Sequence, residues 1–286
     1  MKKFVLLILI GLLISLPFVF AFEWPQSLKF ENLFSSFFGQ SRGSTFSNSL
    51  VFENPAEVMA AEDGTLLITL GSGISDMGWY ESTLGNAVIL SHPNNVLTVY
   101  GNLEEVSIVE DSSKVSKNEK IGVSGTSGWS NGKNSLEFQV IDTKSNNVIN
   151  PFILMPVLTS GNSLEIKGLM AISSSGNSVN ITNYSKISSG TNKLYINKQS
   201  KGMVYKTTVS VNGAVVETIT YDVLSSKDGR LAVQGKRAYT YDQVYPSENQ
   251  QLLAEVVFSK GKNLLSIVVE DFSGNQKTIN YTIEAI

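Results

Sequence analysis

The sequence predicts an all-β chain in two parts, and three observations carry that prediction. After the first 21 residues no long helical periodicity appears. Short runs of Val, Ile, Thr, Tyr and Phe alternate with polar residues and are punctuated by Ser, Asn and Gly, the pattern of strands joined by turns. From Thr159 the composition shifts towards Ser, Asn, Thr and Lys, which divides the chain. Its 286 residues suffice for about two domains, each with a core of its own.

The boundaries read as residues 1–21, a leader; 22–50, a lead-in segment; 51–157, a first domain; and 158–286, a second. Met1-Lys2-Lys3, the apolar run Phe4–Ile14, Pro17 and the small residue Ala21 fit a secretory signal cut after Ala21. An uncleaved anchor is the competing reading, because the apolar character continues almost to Phe22, near the ~20 residues a spanning helix needs. Contact with a membrane is expected through that segment if at all. The chain has no cysteine, so no disulfide staples it, and export without cysteine fits a bacterial periplasm or cell envelope. Removing residues 1–21 takes away two lysines and no acids, moving the net charge from −3 to −5. A weakly acidic chain without a Lys/Arg cluster gives no footprint for nucleic acid.

The first domain is organised around Gly85–Val140. GNAVILSHPNNVLTVYGNL alternates apolar and polar residues on both sides of Asn94-Asn95 and predicts a β-hairpin. KIGVSGTSGWSNG follows as a strand and a loop whose Gly122, Gly125, Gly128 and Gly132 permit backbone conformations that other residues resist. NSLEFQV returns as a strand with Leu136, Phe138 and Val140 on one face and Ser135, Glu137 and Gln139 on the other.

These segments resemble the lysostaphin-like (LytM-type) zinc endopeptidases that cut peptidoglycan cross-links. In that family a hairpin ending in Tyr-x-His-Leu precedes V-x-x-G-x-x-I-G-x-x-G-x-T-G-x-S-x-G and then His-x-His on a strand. Here the counterparts are Val99–Leu103, Val115–Gly132 and Ser135–Gln139. The resemblance covers about Trp24–Pro156, from a Trp-Pro start and a Ser-x-Phe-Gly-x-x-Arg segment to an Asn-Pro ending at Asn150-Pro151. It implies a partly open β-barrel or sandwich core. It also implies where the site residues fall. The Tyr-x-His position is Asn102, the first His of His-x-His is Ser135, and the second, a zinc ligand in the family, is Glu137. Two further ligand slots fall on Thr45 and Ser49 when counted back from Glu57–Gly64, or on Ser47 and Val51 when counted forward from Phe46. Neither register restores a His or an Asp.

A zinc site of this type needs imidazole and carboxylate donors converging on a tetrahedron around the metal. His92 is the one histidine in the chain, so that set cannot be assembled, and no cofactor is expected. Glu137 with Asp76 or Glu81 lacks the spacing of a calcium loop. Ser135 with Glu137 lacks any oxyanion-hole signature for a serine nucleophile. His92 reads as a hydrogen-bonded strand-end residue at the groove rim. The candidate groove contacts are His92, Tyr100, Trp79, Tyr80 and Trp129. Phe30, Phe34, Phe37 and Phe38 read as a short apolar element packed on the sheet.

In the second half the expected strands are Leu164–Ile166, Val179–Ile181, Lys193–Ile196, Met203–Val211, Val215–Tyr221, Leu252–Phe258, Leu264–Glu270 and Thr278–Ile283. Asn212-Gly213 predicts a tight hairpin turn. Short strands at this spacing, and an ending that resembles bacterial immunoglobulin-like modules, predict an immunoglobulin-like β-sandwich. Residues 225–249, with Arg230, Arg237, Tyr239, Tyr241 and Tyr245, read as a loop over a sandwich edge or a partner surface.

The functional expectation is a non-catalytic relative of the lysostaphin-like peptidases in the bacterial cell envelope, binding peptidoglycan or regulating a cell-wall hydrolase. The alternative is a structural or adhesive component acting through the second domain. An active zinc endopeptidase is the reading these residues support least.

Overall fold

A computed structural model describes residues 22–28, 33–71, 82–108, 113–158, 164–199 and 204–286. The leader, Phe30, Asp76, Trp79, Tyr80 and Glu81 lie outside the described residues. No helix among those described is long and apolar enough to cross a membrane.

Among its described residues the first half forms twelve strands: β1 (Phe34–Ser36), β2 (Ser41–Arg42), β3 (Thr45–Phe46), β4 (Leu50–Phe52), β5 (Glu57–Met59), β6 (Gly64–Leu70), β7 (Asn86–His92), β8 (Val96–Val106), β9 (Lys114–Val115), β10 (Lys120–Ser124), β11 (Leu136–Asp142) and β12 (Asn147–Ile149). β8 is the spine. It pairs antiparallel with β7 along one side, and with β11 and then β10 along the other. The turn between β7 and β8 holds Asn94 and Asn95 at φ 64° and 63°, in the left-handed region that asparagine enters more readily than most residues. Leu136, Phe138 and Val140 of β11 are fully buried, as their alternation requires.

The second half contains β13 (Met170–Ser173), β14 (Ser178–Asn180), β15 (Ser185–Ile187), β16 (Gly190–Asn197), β17 (Lys206–Val211), β18 (Ala214–Lys227), β19 (Arg230–Gln234), β20 (Ala238–Thr240), β21 (Gln250–Phe258), β22 (Gly261–Glu270) and β23 (Gln276–Ala285). One sheet runs β14-β13-β16-β21. The facing sheet places β22 between β17 and β23, with β18 beyond β17 and β15 parallel to β23. Leu194, Ile196, Leu253, Val256, Val209, Leu265, Ile267 and Ile283 fill the space between them. Asn212 and Gly213 sit at φ 53° and 83°, as a two-residue hairpin turn demands.

In the last hairpin Leu265 pairs with Tyr281, Ile267 with Ile279 and Val269 with Lys277. Two expectations change. Leu164–Ile166 is not a strand; Leu164 packs into the core from an irregular segment. Residues 225–249 are not a loop: they form the end of β18, β19, β20 and a single-turn helix α1 (Tyr241–Val244). Tyr239 and Tyr245 are buried, Tyr239 donating to the carboxylate of buried Glu217. A buried carboxylate is costly unless its oxygens are bonded. Here Glu217 also accepts from the backbone N–H of Thr218 at 3.0 Å and of Lys236 at 2.7 Å.

The halves are not independent. β12 pairs with β18, Val148 opposite Leu224 and Ile149 opposite Val223. Asn150, at the Asn-Pro boundary, donates its side-chain amide to Tyr221 O at 2.8 Å. One core cluster holds Leu50, Phe46 and Phe138 of the first half with Ile219, Tyr239, Val244 and Tyr245 of the second.

Candidate functional site

Arg42, Ser49 and Glu137 converge from β2, the β3–β4 connection and β11. β11 pairs with β4 so that Glu137 stands opposite Val51, which brings Ser49 alongside. The Glu137 carboxylate takes a two-pronged ion pair from Arg42, Nη1 to Oε1 at 2.8 Å and Nη2 to Oε2 at 3.0 Å. Ser49 Oγ donates to Oε1 at 2.9 Å, and Gln139 Nε2 approaches the same oxygen at 3.4 Å. Parallel guanidinium–carboxylate bonds are among the stronger polar contacts a protein makes. The contact of Ser49 with Glu137 selects Ser49, and not Ser47 or Val51, as the partner at this position. Thr45 stands outside the network, exposed on β3 across from Arg42. Arg42 is absent from the expectations above. Its signal was the Ser-x-Phe-Gly-x-x-Arg segment, in which it is the closing residue.

Asn102 and Ser135 form a second network. Asn102 is 3% exposed with φ 62°. Its Nδ2 lies 2.6 Å from Gly125 O, 2.8 Å from Ser135 O and 2.8 Å from Ser135 Oγ, and its Oδ1 accepts from Gly128 N at 2.8 Å. Its backbone N–H donates to Leu84 O, and its carbonyl accepts from Gly125 N. The amide is saturated, and it ties the glycine loop to β8. The glycines serve this closeness more than unusual dihedrals. A Cβ on Gly125 would lie 2.4 Å from Glu104 N, whereas only Gly132 of the four has a positive φ, at 71°. The expectation that all four supply special backbone conformations is corrected accordingly.

Beside these networks opens a cavity of about 250 Å³, lined by Arg42, Asn102, Ser135 and Glu137 together with Trp129 and Lys133. Trp129 is 71% exposed. The hydroxyl of Ser130 and Oδ1 of Asn134, in the same loop, are buried atoms without a protein partner among the described residues.

His92 and Tyr100 are not groove contacts. Tyr100 is fully buried, its hydroxyl accepting from Ala61 N at 2.8 Å and its ring 5.2 Å from that of Phe138. Burial pushes its phenol up to about 12. The residue lies on the core face of β8. His92 is 6% exposed, with Nδ1 2.8 Å from Asp63 O and Nε2 2.7 Å from Thr98 Oγ1. A carbonyl only accepts, so Nδ1 carries the proton and Nε2 accepts from the threonine. Burial lowers the His92 pKa below its ordinary 6.5, outweighing the carbonyl contact. The unfolded chain therefore takes up a proton near pH 6.5 that the folded chain refuses. Stability is complete above that pH and should fall as pH drops through the window down to the folded pKa. Urea titrations between pH 8 and 5 check this; His92→Asn should flatten the slope, and an unchanged slope would contradict the assignment.

The residues do not fit the zinc that the resemblance implies. Of the three ligand positions, Thr45 lies apart, Ser49 offers a hydroxyl, and both oxygens of Glu137 are engaged by a guanidinium. Among the described residues no three of His, Cys, Asp and Glu are grouped to hold a metal.

A family model described as Peptidase family M23 matches residues 45–151, and a second family model, which carries no description, matches residues 163–286. A protein of Treponema pallidum (strain Nichols) described as uncharacterized is 31% identical over 121 residues, covering 38% of this chain and 79% of that protein. The catalytic domain of lysostaphin from Staphylococcus simulans is 19% identical with a TM-score of 0.35, over 45% of this chain and 96% of that one. A zinc-containing peptidase from Vibrio cholerae is 22% identical with a TM-score of 0.34, over 42% of this chain; only 36% of the Vibrio chain is spanned.

Proposed function

Because residues 45–151 are a domain of peptidase family M23, the lysostaphin-like family, we propose that the protein is a non-catalytic member of it. In this reading it works in the bacterial cell envelope, binding peptidoglycan peptide or regulating a cell-wall hydrolase. The observation that carries the reading is a contrast within one site. The family's chemical positions are filled by groups that satisfy each other, Asn102 with Ser135 and Glu137 with Arg42 and Ser49. The cavity they line stays open and includes an exposed Trp129 that offers a stacking face. Saturated catalytic positions under an open groove suit recognition more than turnover. Export, by way of the leader-like start, belongs to the same proposal.

The test is retention of residues 22–286 on purified sacculi, together with the activity of co-expressed hydrolases in its presence. Retention should occur and should weaken at least fivefold in Trp129→Ala, an exposed residue whose loss spares the core. Failure to bind sacculi, combined with no effect on any hydrolase, would remove the proposal. Metal analysis of the purified protein should give far less than one zinc per chain.

A second reading is favoured by the outer face of the β17–β22–β23 sheet. There Thr208, Ser210, Ser266, Thr278, Asn280 and Thr282 form an uncharged stretch around Val268, bounded on the same face by Lys206 opposite Glu270 and Lys262 opposite Glu284. In a sandwich read as immunoglobulin-like, with β15 running parallel to the last strand, this is a surface for adhesion. Sacculus retention that survives Trp129→Ala and falls with Ser266→Arg would favour it. Deleting residues 158–286 cannot separate the readings, because the two halves share a core.

A further inference from the structure

Arg42 reaches Glu137 from a short hairpin, and that hairpin is held from the far end of the chain. β2 and β3 contribute only two residue pairs, Ser41 with Phe46 and Arg42 with Thr45. Two such pairs do not fix an arginine by themselves, since an isolated hairpin is at best marginally stable. The missing restraint comes from α1 and the residue after it. The Tyr241 hydroxyl lies 2.7 Å from Ser41 Oγ and donates to Gly43 O at 2.9 Å, so Ser41 supplies the proton of the first bond. One phenol thus grips the residues on both sides of Arg42. Tyr245 donates to Gly39 O at 3.1 Å, just before β2. Phe46 packs against both rings, 5.7 Å from Tyr241 and 5.9 Å from Tyr245.

We propose that Tyr241 and Tyr245 are positioning residues for the groove, and that the second half sets the state of the groove floor by locking the hairpin that delivers Arg42 to Glu137. The claim stands whether or not the groove takes peptidoglycan. Its consequence is two-way coupling: whatever displaces α1 frees Arg42, and whatever draws Arg42 off Glu137 loosens α1. The helix itself is well anchored, with Thr240 and Gln243 closing a capping box and Val244 in the shared core. Strain arriving at α1 is therefore passed to the hairpin, whose ladder of two residue pairs is extended by the Gly39–Ser47 and Ser47–Gln40 backbone bonds and stays short.

The experiment uses the full exported chain and two readouts. Hydrogen exchange reports the amides of Gly39 and Ser47, which bond to Ser47 O and Gln40 O. Side-chain nitrogen NMR reports rotation of the Arg42 guanidinium, slow when both Nη groups are held and fast when free. In Tyr241→Phe/Tyr245→Phe, which keeps both rings, exchange at Gly39 and Ser47 should rise about tenfold, and Arg42 rotation should become fast, while the Phe138 amide keeps its protection. Ser41→Ala removes the other end of the first bond. It should give part of the effect alone and add nothing to Tyr241→Phe. Phe272→Leu is the control, because Phe272 stacks on Phe152, 4.7 Å away, at another contact between the halves. Unchanged Arg42 rotation in the double phenylalanine variant would overturn the proposal. So would an equal response in Phe272→Leu, which would reduce the effect to general loosening of the two halves.

Discussion

Asn102→Ala should cost about 4 kcal/mol of folding stability, the largest single effect expected at the site. Two mechanisms add. Alanine is disfavoured at φ 62° by roughly 1–2 kcal/mol. Removing the side chain also strips Gly128 N of its acceptor and the Ser135 carbonyl and hydroxyl of a donor, while Gly125 O keeps its bond from Ser135 N. Each buried group left bare costs about 1–3 kcal/mol, and partial relaxation of the loop keeps the sum below the maximum. For a chain of this size the melting temperature should drop roughly 10 °C. Asn102→Gly divides the contributions, since glycine accepts the dihedral and loses only the bonds; it should be about 1 kcal/mol less damaging. Asn102→His, which restores the family residue type, should also destabilise, because imidazole cannot donate twice to Ser135 and Gly125 while accepting from Gly128. A histidine variant as stable as the parent would show that this position is an unfilled catalytic slot and not a knot in the loop.

What the sequence displayed was mostly local. Asn94-Asn95 and Asn212-Gly213 announced their turns because a positive φ restricts which residues fit. Leu136, Phe138 and Val140 announced a strand because one face of β11 is buried, and the same alternation left Glu137 on the side where Ser49 and Arg42 meet it. The failures are long-range. Residues 225–249 looked like a loop because their tyrosines have no apolar periodicity among themselves. The partners that order them are Gly39, Ser41 and Phe46, about 200 residues away, and the carboxylate of Glu217 on β18. Leu164 looked like part of a strand because apolar character signals burial, not hydrogen bonding, and the residue is indeed buried without a ladder. His92 was placed at the groove by its position beside a turn, although its side chain points to the interior against Phe22, 5.3 Å between ring centres. The shortage of imidazoles was visible in composition alone. The group standing in their place was not, because a guanidinium that closes a site differs from a surface arginine only through contacts made in three dimensions.

Arg42→Ala tests that substitution of one cation for another. The variant leaves Glu137, whose side chain is 13% exposed, with Ser49 and Gln139 as its remaining partners. Stripping one member from a fully buried ion pair costs about 3–5 kcal/mol, and a surface pair is worth under about 1 kcal/mol. Arg42 is 38% exposed, so water reaches the vacated space and screens the orphaned charge. The loss should therefore be about 2 kcal/mol in urea denaturation, with a fall in melting temperature of roughly 5 °C. Glu137→Gln added to Arg42→Ala removes that charge and should restore about half of the loss, a coupling that a double-mutant cycle reads directly. A neutral Arg42→Ala would mean that the pair is an ordinary surface contact. The same variant also separates two accounts of the missing metal. If the guanidinium were merely blocking a competent site, its removal should let zinc bind stoichiometrically. With a hydroxyl and a single carboxylate as the only donors left, zinc should stay unbound at micromolar concentration, because the deficit lies in the ligands and not in their availability.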